Sequence, residues 1–128
     1  MRIPFARALV FATATVLTLG VAQAAEPAMV GKSDKGPVLV DSKGMTLYTF
    51  DKDSEGKSVC YDKCAVNWPP LMAPAGAKAE GKYTVIDRTD GTKQWAYKGL
   101  PLYTWIKDAK PGDTTGDGVG GVWALAKP

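Results

Sequence analysis

Two sets of side chains in this chain have the type and spacing to do chemistry, and the residue that most often completes such sets is missing. Cys60 and Cys64 are the only cysteines, four positions apart. Asp53 and Asp108 each close a near-identical short stretch, one in either half of the chain. A fold that joined the halves could set them as paired acids of the glycosidase kind. The chain has no histidine. That excludes Ser-His-Asp and Cys-His hydrolysis, His-ligated zinc and the haem-attachment motif ending in His, and it leaves acid–base work to carboxylates.

Each option has a counterweight in the neighbouring residues. A thioredoxin-like redox pair has two intervening residues rather than three, and Lys63 is the one cation beside these thiols to lower their pKa. Copper sites of the C-x-x-x-C kind normally recruit imidazole. The loop Asp51-x-Asp53-x-Glu55-Gly56, with Asp62 at the twelfth place, opens with the spacing of an EF-hand. It is entered from residues that read as a strand, it lacks the bidentate Glu at position twelve, and Ser58 stands where an apolar residue is usual. A solvated hairpin loop accounts for it, and no metal or other cofactor is expected. A domain of roughly 100 residues also leaves little room for a deep sugar cleft between Asp53 and Asp108.

The elements that must position these residues come in two copies. Leu47-Tyr48-Thr49-Phe50-Asp51-Lys52-Asp53 returns 55 residues later as Leu102-Tyr103-Thr104-Trp105-Ile106-Lys107-Asp108. The same offset superposes Lys43 on Lys98, Gly44 on Gly99 and Trp68 on Trp123, which with the five identities inside the motif makes eight. Each copy of such a unit must bury its apolar face against the other. In the first copy, Val38 to Val40, the turn residues 41–44 and Thr46 to Phe50 read as a hairpin. In the second, Tyr83 to Asp87, a turn at 89–92 and Gln94 to Tyr97 read as another, followed by a strand from Leu102 to Ile106 that Pro101 places at a start or an edge. Cys60 to Trp68 is the one stretch expected to coil, stopped by Pro69 and Pro70. Residues 73–81 read as the connector between halves, and Val122 to Leu125 as a closing strand. Alternation sends Tyr48 and Phe50 to one face, and Tyr103 and Trp105 likewise, as candidates for a shared aromatic core. Asp53 and Asp108, just past the strand ends, are placed to accept backbone N–H bonds and fix the loops that follow. A ligand reading of the same residues is an aromatic platform with an acidic rim, suited to a small apolar or sugar-like molecule.

The first 24 residues read as a secretory signal peptide. Arg2 and Arg7 supply the basic segment, Ala8 to Val21 the apolar run and Ala22-Gln23-Ala24 the cleavage site. The run of about 14 residues is short of the roughly 20 needed to span a bilayer, so no transmembrane segment is expected after cleavage. No cysteine lies at that site to be acylated, and the protein is expected to be soluble, either periplasmic or secreted. In such a compartment the default for Cys60 and Cys64 is a disulfide, worth about 2 kcal/mol for a five-residue loop. The leader carries two of the 16 Lys and Arg, leaving 14 against 13 Asp and Glu. Those cations form no cluster of the kind that follows a phosphate backbone, so nucleic acid is not an expected partner.

The motif resembles that of a bacterial family, the secreted repeat of unknown function, also described as predicted lipoproteins with a Tyr-x-(Phe/Trp/Tyr)-x-x-Asp motif. Tyr48, Phe50 and Asp53 match it, as do Tyr103, Trp105 and Asp108. The resemblance extends over Cys60, Cys64, Ala65, Trp68-Pro69-Pro70, Gly116-Asp117-Gly118 and Val122-Trp123. It implies no activity, substrate or cofactor, because the family has none established. The expectation is a mainly β protein, a single small domain of two antiparallel β repeats with one short helical turn around the cysteine pair. A flexible lead over 25–36 precedes a first repeat at about 37–73 and a second at about 83–128. Its function is read as that of an exported, non-enzymatic structural or binding module. The alternative is a periplasmic metal-binding or thiol-redox accessory protein using Cys60 and Cys64.

Overall fold

The computed structural model describes residues 26–128, so the signal peptide expected over 1–24 lies outside them. Two β-hairpins stand at equivalent points of the two repeats. The first joins β1 (Met29–Ser33) to β2 (Gly36–Val40), and the second joins β4 (Tyr83–Asp87) to β5 (Lys93–Tyr97), both antiparallel. β1 corrects the sequence reading, which left those residues in a flexible lead and began the first repeat near Pro37. Its small and polar composition hides a packing requirement: a Cβ on Gly31 would lie 2.7 Å from a methyl of Val40, so a larger residue there would force the Val40 side chain to shift.

β3 (Tyr48–Phe50) does not pair within its own repeat. It runs antiparallel to β7 (Trp123–Leu125), the closing strand of the second repeat, with Tyr48 opposite Leu125 and Phe50 opposite Trp123. The reciprocal pairing sets 103–105 of the second repeat against 68–70 of the first. Tyr103 bridges Pro70, the Thr104 N–H donates to the Pro69 carbonyl at 2.9 Å, and the Ile106 N–H donates to Asn67 at 3.1 Å. Leu102 to Ile106 was expected as a regular strand, yet only Leu100–Pro101 forms one, β6, against β5. The partner segment explains this. Pro69 and Pro70 have no N–H to return, so the ladder is one-sided until Leu71 donates to Leu102 at 2.9 Å. Between the two exchanged pairs, Tyr48 and Tyr103 face each other and trade backbone hydrogen bonds of 2.8 and 3.0 Å.

The repeats differ in how they deliver the equivalent tryptophans Trp68 and Trp123. In the first, α1 (Lys63–Asn67) makes a single turn of helix, too short to be stable alone, and the Cys60–Cys64 disulfide ties its start to the preceding chain. The two prolines end it at Trp68. In the second, a 3₁₀ turn (Val119–Gly121) takes the same place and needs Gly118 at φ 85° to enter it. The main core gathers Val38, Val40, Tyr48, Cys60, Trp68, Tyr103, Trp123 and Leu125, and a second cluster forms around Leu39, Leu47 and Leu102. Among the described residues no helix is long and apolar enough to cross a membrane.

Because Cys60 is fully buried and α1 has only five residues, the disulfide acts mainly on the unfolded chain. The Cys60→Ala/Cys64→Ala protein is expected to keep the fold by circular dichroism and to lose about 2 kcal/mol in urea titration. Unchanged stability would show that the loop is already ordered in the unfolded chain.

Candidate functional site

The exchanged strands carry the motif residues to the interface between repeats, and there each motif is completed by the other copy. The Tyr48 hydroxyl donates to Asp108 at 2.6 Å, and the Tyr103 hydroxyl donates to Asp53 at 2.6 Å. The second oxygen of each carboxylate holds the loop that follows it. Asp53 accepts the Val59 N–H at 2.8 Å, while Asp108 accepts the Thr115 N–H at 3.0 Å and the Thr115 hydroxyl at 2.6 Å. The loop-fixing role expected of these aspartates is therefore present, and the cross-repeat tyrosine is an addition to it. Burial, reinforced by the neighbouring carboxylates, pushes both phenols well above their ordinary range, so each stays a donor. Burial also raises the Asp53 carboxyl, against the lowering effects of the Tyr103 hydroxyl, the Val59 N–H and the charge of Arg88.

The rings form a column between the repeats, about the approximate twofold axis that the reciprocal strand and tyrosine pairings define. Trp68 and Trp123 stack at its centre, with centroids 3.7 Å apart and planes 3° from parallel. Trp105 stacks on the outer face of Trp68 at 4.0 Å, and Phe50 on that of Trp123 at 4.2 Å. Tyr48 meets Trp68 edge-on at 5.3 Å, and Tyr103 meets Trp123 edge-on at 5.2 Å. Both tyrosines and the two central tryptophans are buried, whereas Phe50 and Trp105, at the ends, are half-buried. An aromatic platform built from Tyr48, Phe50, Tyr103 and Trp105 together is thus not present. What remains partly open are the two ends of the column, and at the Trp105 end the next residue in the chain, Ile106, is 50% exposed.

A third cluster escaped the sequence reading. Arg88, in the turn of the β4–β5 hairpin, is buried and donates to the Ser58 hydroxyl at 3.0 Å, to Gln94 at 2.7 Å and to the Cys60 carbonyl at 2.6 Å. Its guanidinium also lies 4.2 Å above the Tyr61 ring. Ser58 sits 2.6 Å from the Tyr103 hydroxyl, whose single proton goes to Asp53, so Ser58 is the donor in that contact. One signal was available: Arg88 is the only arginine after Arg7, among 13 lysines, and a planar fork with several fixed acceptors cannot be replaced by a lysine.

Chemically, the arrangement is closed. Asp53 and Asp108 each hold the opposite repeat's phenol, and Cys60 and Cys64 hold each other. Open crevices of about 530 Å³ beside Trp95 and about 450 Å³ beside Lys110 are lined by other residues. Among the described residues no group of three or more His, Cys, Asp and Glu could hold a metal ion, the EF-hand-like loop included.

The sequence model of a family described as a secreted repeat of unknown function matches residues 29–72 and again 84–127. The first match begins at β1, in agreement with the strand pairing. No curated protein and no solved structure matches the chain.

Two predictions follow from this geometry. A Cβ on Gly116 would lie 2.8 Å from the Trp68 ring and 2.9 Å from Tyr48, so Gly116→Ala should cost about 1–3 kcal/mol in urea titration and perturb the near-ultraviolet aromatic signal. A wild-type-like melt would mean that the column can shift to make room. The second concerns pH. Since the folded-state pKa of Asp53 is raised above the ordinary 3.8, the folded chain takes up this proton first. Wild type should therefore gain stability relative to Asp53→Asn as pH falls from neutral through that folded pKa, the gain levelling off below the unfolded value. Paired urea titrations across that range test it, and a relative loss on acidification would show the anion to be the favoured form.

Proposed function

The chain belongs to the family of secreted repeats of unknown function, and we propose that it serves as an exported, non-enzymatic binding module whose open surface is the Trp105 end of the aromatic column. The observation that carries this reading is the mutual engagement of the motif: each tyrosine hydroxyl and each aspartate of the pair is satisfied by the other repeat. A general acid or nucleophile must face a substrate, and these face one another. The half-buried Trp105, followed in the chain by the exposed Ile106, is left to contact a partner. An aromatic face with an aliphatic neighbour suits an apolar or sugar-like ligand. A metal or thiol-redox role for Cys60 and Cys64 is the less favoured reading, because both would have to leave a disulfide whose Cys60 half is fully buried.

Two measurements test the proposal. Chromogenic esters, phosphate esters and β-glycosides should be turned over no faster by wild type than by Asp53→Asn or Asp108→Asn. A rate enhancement abolished by either substitution would refute the non-enzymatic reading. In nuclear magnetic resonance titrations with a neutral oligosaccharide and with an apolar dye, the Trp105 indole N–H should shift while those of Trp68 and Trp123 stay in place. Absence of a Trp105 shift with both probes would remove the binding surface.

A further inference from the structure

The column has an electronic property that neither packing nor ligand binding requires. Its rings touch continuously from Trp105 through Trp68 to Trp123, at centroid separations of 4.0 and 3.7 Å. Tyr48 and Tyr103 join it edge-on at Trp68 and Trp123. Indole and phenol are the two aromatic side chains that give up an electron most readily, and contact between π-systems provides the overlap through which a vacancy moves. A phenol yields its electron far more easily when a base stands ready for its proton. Both tyrosines have one, a carboxylate oxygen at 2.6 Å. Cys60 and Cys64 sit against the column as a disulfide, so neither thiol competes for the vacancy.

We propose that the column relays single-electron oxidising equivalents from the half-buried Trp105 to the buried tyrosines, with Asp53 and Asp108 taking the phenolic protons. The external reactant is a one-electron, outer-sphere oxidant, which accepts one electron from Trp105 and leaves an indole radical cation. Trp68 refills Trp105, and the vacancy passes along the stack. It ends when Tyr103 surrenders one electron to Trp123 and its hydroxyl proton to Asp53 Oδ2, or when Tyr48 does the same with Trp68 and Asp108 Oδ2. The products are a neutral tyrosyl radical, a protonated carboxyl group and the reduced oxidant, so charge and protons balance. The raised Tyr48 and Tyr103 pKa values agree with this order of events, because the proton leaves only with the electron.

The relay has a direction. Position 50 of the first repeat is phenylalanine where position 105 of the second is tryptophan. Phenylalanine is much harder to oxidise, so the Phe50 end is electronically closed although it stacks equally well at 4.2 Å. Neither Tyr48 nor Tyr103 has any exposed surface, and a soluble oxidant reaches them only through the rings.

The test uses the intact protein and photogenerated tris(bipyridine)ruthenium(III), followed by transient absorption. Wild type should show a tryptophan radical whose decay matches the rise of a tyrosyl radical, with slower conversion in heavy water. In Tyr48→Phe/Tyr103→Phe the delayed tyrosyl component should vanish and the tryptophan radical persist, leaving only prompt oxidation of the more exposed Tyr61, Tyr83 and Tyr97. Trp105→Leu alters a half-buried end and spares the buried core. It should retain the fold and also lose the delayed component. Persistence of that component at the wild-type rate in either variant, or a wild-type tyrosyl signal that never follows a tryptophan radical, would overturn the relay.

Discussion

A carboxylate withdrawn from water must find donors, and in this fold each motif aspartate finds its side-chain phenol donor across the repeat boundary. That condition governs most of what surrounds it. For Tyr103 to reach Asp53, and Tyr48 to reach Asp108, the two motif segments must lie antiparallel and adjacent. They do so through the backbone pair that the tyrosines exchange. Strand 48–50 and segment 103–105 then present their outer edges to the closing segment of the opposite repeat. The central tryptophans arrive on those segments and stack on the axis. Neither half can satisfy its own aspartate or bury its own tryptophan, so the interface between halves is the core of the domain rather than a contact between two finished units.

Approximate twofold symmetry makes the departures from it informative. Cys60 and Cys64 brace one tryptophan-bearing turn, while Gly118, Gly120 and Gly121, all at positive φ, shape the other. One segment is constrained covalently, the other by residues that accept a left-handed backbone. Tyr103 receives a hydrogen bond from Ser58 inside the Arg88 cluster, whereas Tyr48 receives one from the Gly116 backbone at 3.2 Å. The guanidinium is buried at a single place, where a serine hydroxyl, an amide oxygen and a peptide carbonyl were all available to it. Phe50 and Trp105 cap the column with rings of different size and chemistry.

Much of the architecture was legible because the repeat is nearly free of gaps around its motif. Hairpin β4–β5, the helical turn ended by Pro69 and the closing strand all fall where alternation, turn residues and proline place them. β1 was missed because Gly31, Lys32 and Ser33 look like a linker when scored alone. Carrying the 55-residue offset back past Lys43 would have laid that segment over Thr84 to Arg88. The Leu102 to Ile106 segment was read as a strand and does not form one, because its regularity depends on the donors of its partner, those donors are absent at two prolines, and Ile106 already enters a turn. The cross-repeat phenol–carboxylate pairs were beyond reach. An internal repeat identifies equivalent residues without saying whether each copy closes on itself or on its neighbour. Arg88 stands out in the sequence as a lone arginine, but its partners could not be read from it, because two of its three acceptors come from a segment about 30 positions away.

The exchange of closing strands has a bearing on ancestry. A chain holding one such repeat could not complete its aspartate, its tryptophan stack or its sheet except by clasping a second identical chain in a swapped homodimer. The present protein has the geometry of such a dimer within one chain, its halves joined through residues 73–81. Joined in one chain, the halves need not be identical. A cysteine staple, a lone arginine and two extra tryptophans, Trp95 and Trp105, each stand in a single copy, which a dimer of identical subunits does not allow.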